Sequence, residues 1–173
     1  MDPAHIEFIY GLHGKPALKT NYADWALQFN LAHSKDLVVY AFRQNFPIGI
    51  DIEYVREMPN EDAFAEQIFS SSESALIRSL AGEQKRKAFF TIWTCKEAFL
   101  KANGDGLTKP IDQTEISLGA GETPQLVSIG GDRGQVAGWR LETFQPAADY
   151  QAALALEGHN CKIVFKQAGN YFV

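Results

Sequence analysis

The sequence predicts an α+β protein in which antiparallel sheets pack with helices. Strand-like segments occupy the first and last thirds of the 173 residues, and helical segments fill the middle third. Because strand and helix blocks are segregated rather than alternating, the pattern favours α+β over a doubly wound α/β fold. The length suits one domain or two small lobes that share a core.

The first third contains four strand candidates separated by turn signals. Apolar runs at residues 29–33 and 37–43 flank a short polar link, which is typical of a hairpin. The run Gly14-Lys15-Pro16 marks a turn ahead of them. The strand candidates are residues 6–10, 29–33, 37–43 and 46–55. We place a lobe boundary near Pro47, between a partial N-terminal lobe of residues 1–46 and a C-terminal lobe of residues 47–173.

Helix start and stop signals define the middle third. Asn60 precedes two acidic residues, and the Ser-Ser-Ser-Glu run at residues 70–73 offers a second capping signal. Gly82 separates that helix from a long one over residues 83–102, which ends at Asn103-Gly104. The strand candidates of the last third are residues 115–118, 125–129, 136–144, 150–156 and 162–165.

Charge and composition argue against several classes of protein. The net charge of −5 argues against a nucleic-acid binder, which usually carries a basic excess. No apolar run reaches the roughly 18 residues of a membrane span, and the first residues lack a signal peptide. The two cysteines, Cys95 and Cys161, fit free thiols in a reducing compartment. We therefore expect a cytoplasmic protein that binds neither nucleic acid nor membrane.

Carboxylates alternate with apolar residues in the strand that begins near Pro47. Three isoleucines alternate with Gly49, Asp51 and Glu53, so the two carboxylates share one face. One interpretation is a half-buried strand whose acidic face is solvated. The other is a pair of oxygen ligands, about 7 Å apart along the strand, for a hard cation such as Mg²⁺. The strand alone leaves both interpretations open.

Glu97 lies within the apolar stripe of the long helix. At helical spacing this stripe contains Phe89, Phe90, Trp93 and Leu100. A glutamate facing a core is costly unless it is paired or binds a metal. Lys96 and Lys101 flank it, so an ordinary surface Glu–Lys pair is the competing interpretation. Three carboxylates, two lysines and the upstream His33 together indicate a Mg²⁺-dependent enzyme acting on a phosphorylated substrate.

Two motifs resemble the signatures of the 4′-phosphopantetheinyl transferases. They are Gly-Ile-Asp-Ile-Glu at residues 49–53 and the segment 93–107, which matches W-x-x-K-E-A-x-x-K-x-x-G-x-G-L at every fixed position. Gly-Lys-Pro at residues 14–16 and Phe-Asn-Leu-Ala-His-Ser at residues 29–34 resemble elements of the long, surfactin-synthetase-activating type. The resemblance runs from about residue 14 to residue 107.

The resemblance implies a fold and a reaction. The fold would be a pseudo-twofold, two-lobe arrangement, here with a shortened first lobe. The reaction would move the 4′-phosphopantetheine of coenzyme A onto a serine of an apo carrier protein (acyl, peptidyl or polyketide). It would depend on Mg²⁺ and release 3′,5′-ADP.

The resemblance also implies roles at individual positions. Asp51, Glu53 and Glu97 correspond to metal ligands, and Glu97 to the base that acts on the carrier serine. Lys101 would neutralise the α-phosphate of the leaving nucleotide, and Lys96 would support the phosphate site.

For coenzyme A, His33 would contact a phosphate, and Lys15 with Pro16 would line the nucleotide pocket. Ala32 stands where the family often has serine. The segment 56–69, with Met58, Phe64 and Ile68, matches the region that meets the carrier. Phe64 and Ile68 could equally be core residues at i, i+4 spacing.

Only thirteen residues precede Gly14, where the long type usually has about 60 more. A shortened lobe would leave sheet edges or apolar surface to cover, and a homodimer is one way to cover them. Two other functions compete with the transferase. One is a non-catalytic module that binds coenzyme A or a carrier. The other is a Mg²⁺-dependent hydrolase of nucleotide pyrophosphates.

Overall fold

Strands precede and follow a helical middle third, as the α+β prediction requires. The computed structural model describes residues 3–19, 26–104, 111–119, 123–158 and 161–167. In chain order the elements are β1 (Phe8–Tyr10), β2 (Pro16–Leu18), β3 (Leu27–Ser34), β4 (Leu37–Gln44), β5 (Ile48–Tyr54), α1 (Glu61–Ile68), α2 (Ser71–Ser79), α3 (Gly82–Asn103), β6 (Thr114–Ser117), β7 (Gln125–Ile129), β8 (Trp139–Phe144) and β9 (Tyr150–Glu157).

A three-stranded antiparallel sheet with the order β5-β9-β8 lies between two other layers. Helix α3 packs on one face, where Ala153 and Ala155 of β9 join its core cluster. The β3–β4 hairpin covers the other face, where Ile50 and Leu154 pack against Ala41. Because both faces are covered, β5 and β9 are buried along almost their whole length. The hairpin is the one predicted from residues 29–43.

Gly49 lies where α3 crosses β5. A Cβ atom there would stand 2.0 Å from the carbonyl oxygen of Ala98 and 2.5 Å from the amide nitrogen of Ala102. Backbone therefore approaches backbone, which needs glycine on the strand and small residues on the helix. The same face of β5 carries Asp51, whose exposed fraction is 5%. The interpretation of that face as solvated is therefore wrong at Asp51.

The helix signals are largely confirmed. Ser70 and Glu73 form a capping box at the start of α2, and α3 ends at Gly104 with φ 76°. Helix α3 begins at Gly82, one residue earlier than predicted. Helix α1 begins after Asn60, although the side chain of Asn60 makes no capping hydrogen bond.

Two strand predictions in the last third need correction. The segment 162–165 is irregular rather than a strand, because its apolar side chains pack individually. Ile163 packs against the cluster that contains Ala41, Ile50 and Leu154, which we call the second core cluster. Phe165 contacts the ring of Phe144 at a centroid distance of 4.8 Å. The strand expected from residue 136 begins only at Trp139, after a 3-10 turn at Gly134–Val136.

Exposed apolar side chains lie on β1 and on the outer side of the β3–β4 hairpin. The pairs Phe29–Phe42 and Leu31–Tyr40 lie opposite each other in the hairpin. We call the following set the outer aromatic face: Phe8, Tyr10, Leu31, Tyr40 and Phe42, each at least 43% exposed. No helix in the described ranges has both the length and the apolar character needed to cross a membrane.

Candidate active site

Strand β5 and helix α3 bring an aspartate and a lysine into direct contact. The ammonium Nζ of Lys101 donates to Oδ1 of Asp51 at 2.6 Å. The side chain of Asp51 is 7% exposed and that of Lys101 is 30% exposed, so solvent reaches only the lysine. The close crossing at Gly49 determines this contact, because it brings the last turns of α3 onto β5.

Two carboxylate oxygens, one within this pair and one from a neighbouring residue, are buried without a hydrogen-bond partner. They are Oδ2 of Asp51 and Oε1 of Glu97. Among the described residues the same is true of only one other side-chain oxygen, Oε1 of Glu61. Buried polar atoms are almost always partnered in folded proteins, so a pair of orphaned oxygens in one place indicates a missing cation or donor.

An open pocket of about 410 Å³ gives access to these groups. It brings together six of the residues proposed from the sequence: Ala32, His33, Asp51, Glu53, Glu97 and Lys101. Leu31, Ile52 and Trp93 complete its walls. The hairpin, β5 and α3 therefore each contribute one side of the pocket.

The environment of the pocket raises the pKa of two carboxyl groups. Burial raises the pKa of Asp51 to about 7, against the opposing effect of Lys101, and the carboxylates of Glu97 and Glu53 raise it further. Burial also raises the pKa of Glu97, again opposed by Lys101. A bound dication would favour the ionised form of both groups, because an opposite charge at short range lowers a carboxyl pKa.

The donor set suits Mg²⁺. All the candidate ligands are carboxylate oxygens, which hard cations prefer, and two of these oxygens have no other partner. Within the part of the chain that the structure describes, no three His, Cys, Asp or Glu side chains already stand close enough to form a complete metal site. Asp51, Glu53 and Glu97 line one pocket without already forming such a set.

Lys96 is placed differently from its predicted role. Its ammonium pairs with Oε2 of Glu73 at 2.7 Å, and both side chains are at most 1% exposed. It also donates to the carbonyl oxygen of Ile111 at 3.1 Å. The prediction that Lys96 supports a phosphate site therefore needs correction: a fully buried ammonium with these partners cannot reach the pocket. Burial lowers the pKa of Lys96, and Glu73 opposes that effect.

Lys15 and Pro16 are not among the residues that line the pocket. Nζ of Lys15 donates to the carbonyl oxygen of Ala102 at 2.8 Å, at the end of α3, and burial lowers the pKa of Lys15. Pro16 begins β2 opposite Tyr10. The last motif positions, Asp105 to Leu107, lie outside the described residues.

The segment 56–69 combines core contacts with one exposed aromatic side chain. Met58 and Ile68 pack against the main core cluster. Phe64 stacks on Phe89 at a centroid distance of 5.9 Å and contacts Trp93 at 6.2 Å. It is nevertheless 39% exposed, so it links the surface of α1 to an aromatic wall of the pocket.

Sequence reasoning missed two polar contacts, one in the core and one at the pocket. Glu73 is recognisable as part of a capping signal, but nothing local indicates that it also reaches Lys96 on another helix. Ser34 belongs to the Phe-Asn-Leu-Ala-His-Ser element, yet no role follows from its position in the sequence. Its hydroxyl lies 3.3 Å from Oε2 of Glu53.

The fold and the pocket together define an α+β protein with an acidic, lysine-bearing site between a strand and a long helix. The sequence profile of the 4′-phosphopantetheinyl transferase superfamily matches residues 47–155, a span that contains Asp51, Glu53, Glu97 and Lys101. The chain belongs to this superfamily.

Individual relatives agree with this assignment. The chain is 39% identical over 158 residues to the 4′-phosphopantetheinyl transferase HetI of Nostoc sp., a match that covers 91% of this chain and 63% of HetI. The chain therefore spans less than two thirds of the length of that relative.

Solved structures support the fold. The holo-[acyl-carrier-protein] synthase of Thermotoga maritima superposes with a TM-score of 0.52 at 28% identity, covering 65% of this chain and 64% of that chain. The holo-(acyl-carrier-protein) synthase of Bacillus anthracis, solved in complex with CoA (3′,5′-ADP), gives a TM-score of 0.51 at 21% identity, covering 65% of this chain and 96% of that chain. The α+β assignment is thereby confirmed.

Proposed function

We propose that this protein transfers the 4′-phosphopantetheine arm of coenzyme A to a serine of an apo carrier protein, with Mg²⁺, and releases 3′,5′-ADP. The observation that carries the proposal is the pair of orphaned oxygens on Asp51 and Glu97 beside Lys101, in one open pocket. Membership of the transferase superfamily supports the same reaction.

Asp51, Glu53 and Glu97 would hold Mg²⁺, which when bound neutralises the charge of the coenzyme A pyrophosphate. Lys101, the cation in the pocket lining, would neutralise the α-phosphate of the leaving nucleotide. Its side chain is partly exposed, so the ammonium would be accessible to a phosphate that enters the pocket. Ala32 and the exposed His33 would border the coenzyme A phosphates, with Lys15 and Pro16 further along the nucleotide.

Glu97 would accept the proton of the carrier serine, directly or through water. A bound dication would keep Glu97 ionised, and an ionised carboxylate is able to accept a proton. The serine oxygen then forms a bond to the β-phosphorus of coenzyme A. The bond from that phosphorus to the bridging oxygen breaks, and the electron pair leaves with 3′,5′-ADP.

The carrier would approach over α1. Phe64 offers an exposed ring that rests on Trp93, a residue of the pocket wall. A serine presented on a carrier helix could therefore enter the pocket beside this contact, with Phe64 as an apolar anchor for the helix.

The outer aromatic face supports a further part of the proposal, a homodimer of this 173-residue chain. Five large apolar side chains are exposed on β1 and on the hairpin, and contiguous apolar surface often marks a protein–protein interface. Light scattering on the purified chain tests this part independently of the reaction. We expect a dimer mass, and a purely monomeric mass would contradict it.

Intact mass spectrometry of an apo acyl carrier protein tests the reaction. Incubation with the chain, coenzyme A and Mg²⁺ should add the mass of one phosphopantetheine group, and EDTA should prevent the addition. Glu97→Gln, which keeps the shape of the side chain and removes its charge, is the matched control and should not transfer. A folded chain that binds coenzyme A but modifies none of several carriers would support the non-catalytic module instead.

A further inference from the structure

Strand β5 is the edge strand of the central sheet, and side chains of β3 cap its free edge. Oδ1 of Asn30 accepts from the backbone N–H of Ile50 at 3.0 Å, and Oγ of Ser34 accepts from the N–H of Tyr54 at 3.0 Å. Both contacts join residues that are 20 positions apart in the chain. Since the spacing between the paired residues is the same in both contacts, β3 runs alongside β5 in the same direction. Side chains of β3, rather than its backbone, supply the hydrogen bonds to this edge of β5.

Ser34 uses its hydroxyl twice. A serine hydroxyl has one proton to donate and two lone pairs that accept. Because Oγ accepts from Tyr54 N–H, its proton remains available, and it donates to Oε2 of Glu53 at 3.3 Å. An ionised carboxylate can only accept, so the direction of this hydrogen bond is fixed. Among the described residues this is the one side-chain hydrogen bond that Glu53 receives.

The position of Ser34 is itself restrained. The next residue, Lys35, has φ 47° and places its ammonium 3.1 Å from the centre of the Tyr54 ring. That ring contacts Tyr150 of β9 at a centroid distance of 5.2 Å. The turn at the end of β3 is therefore anchored to two strands of the central sheet, and Ser34 has little freedom to move away from Glu53.

We propose that Ser34 is a positioning residue that orients the carboxylate of Glu53 for a divalent cation. This inference rests on the proposed function, because it assumes that Glu53 is a metal ligand. Groups that hydrogen-bond to metal ligands fix the orientation of those ligands, and their removal typically costs about 10–100-fold in metal affinity. The contact at 3.3 Å is long, which places the expected effect near the lower limit.

Mn²⁺ binding to the intact chain, followed by electron paramagnetic resonance in the presence of coenzyme A, tests this inference without measuring catalysis. Ser34→Ala should raise the Mn²⁺ dissociation constant roughly tenfold, and Ser34→Thr should restore it. The matched control is Ser74→Ala. It removes another hydroxyl that bonds to backbone, here the carbonyl oxygen of Ala65, away from the pocket lining. This control should lower the melting temperature and leave the dissociation constant unchanged.

A second pair covers the case in which Ser34→Ala does not fold. Ser34→Thr and Ser34→Val have the same shape, suit a strand and differ only in the hydroxyl. Weaker Mn²⁺ binding by the valine variant alone would support the inference. Equal Mn²⁺ binding by the threonine and valine variants would overturn the inference about Ser34. If the wild-type chain also binds Mn²⁺ and Asp51→Asn does not, the proposed function would remain intact. No Mn²⁺ binding by the wild-type chain would overturn both.

Discussion

Helix α3 carries two lysines five residues apart that each pair with a carboxylate, and the two pairs differ in how far they are satisfied. Around Lys96 and Glu73 the hydrogen bonding is complete. Glu73 accepts from Lys96 and from the N–H groups of Ser70 and Ile116, and Lys96 also donates to a carbonyl. The pair therefore joins α2, α3 and β6, and neither side chain lines the pocket.

The hydrogen bonding around Lys101 and Asp51 is incomplete. Oδ2 of Asp51 has no partner, neighbouring Oε1 of Glu97 has none, and Lys101 is 30% exposed to the pocket. Since an unpartnered buried oxygen costs free energy, the folded chain retains a local instability that a cation would relieve. The comparison teaches that unsatisfied oxygens and an exposed lysine, rather than charge, separate the candidate active site from the structural pair.

The largest expected effect is on transfer. Glu97→Gln should reduce the rate of transfer by roughly 1000-fold, in the range seen when a group that stabilises transition-state charge is removed. The melting temperature should change little, because Oε1 of Glu97 makes no hydrogen bond to lose. The rate is measured by carrier mass against time. A normal rate would remove Glu97 from the site.

The next largest effect concerns stability. Glu73→Ala should lower the free energy of unfolding by about 3–5 kcal/mol, because it leaves the buried ammonium of Lys96 uncompensated. Urea denaturation measures this change. A loss below about 1 kcal/mol, as for an exposed pair, would show that the Lys96–Glu73 pair does not stabilise the fold as a buried ion pair.

A smaller effect is the pH dependence of stability in EDTA. The pKa of Asp51 is about 7 in the folded chain and has a reference value of 3.8. The folded state thus holds a proton that the unfolded state releases, and the stability from this group is present below about pH 4 and lost as pH rises through about 7. Asp51→Asn should gain stability relative to wild type over this range, by up to about 4 kcal/mol.

The metal should reverse this dependence. At pH 8, Mg²⁺ should raise the melting temperature of the wild-type chain and not that of Asp51→Asn, because a ligand stabilises only the state that binds it. Parallel stability profiles of the two proteins in EDTA would instead mean that Asp51 is ionised in the folded chain near its ordinary pKa.

Much of the fold follows from local signals in the sequence. The hairpin, the capping box of α2 and the glycine at the end of α3 are local patterns, and the structure confirms them. The strand expected at residues 162–165 fails because alternation alone does not supply a partner strand. Its side chains instead fill gaps beside Phe144 and the second core cluster.

The site was predictable where one element carries the information. The alternation of β5 predicts that Asp51 and Glu53 share one face, and the stripe of α3 predicts that Glu97 faces the core, although neither pattern alone distinguishes a metal site from its structural alternative. The partner of Lys96 was not predictable, because the pair joins residues 23 positions apart on two helices whose packing depends on the whole core. The contact between Ser34 and Glu53 similarly depends on how β3 lies against the edge of β5.

One pair of variants tests the comparison most directly: the same substitution made at Lys96 and at Lys101 of α3. Lys96→Met and Lys101→Met are compared by melting temperature and by the initial rate of carrier modification, measured below both transitions. We predict that Lys96→Met loses more stability and keeps its rate per folded molecule, whereas Lys101→Met loses less stability, because its side chain is partly exposed, and loses at least about 100-fold in rate. The reverse result, a stable but inactive Lys96→Met beside an active Lys101→Met, would contradict the account.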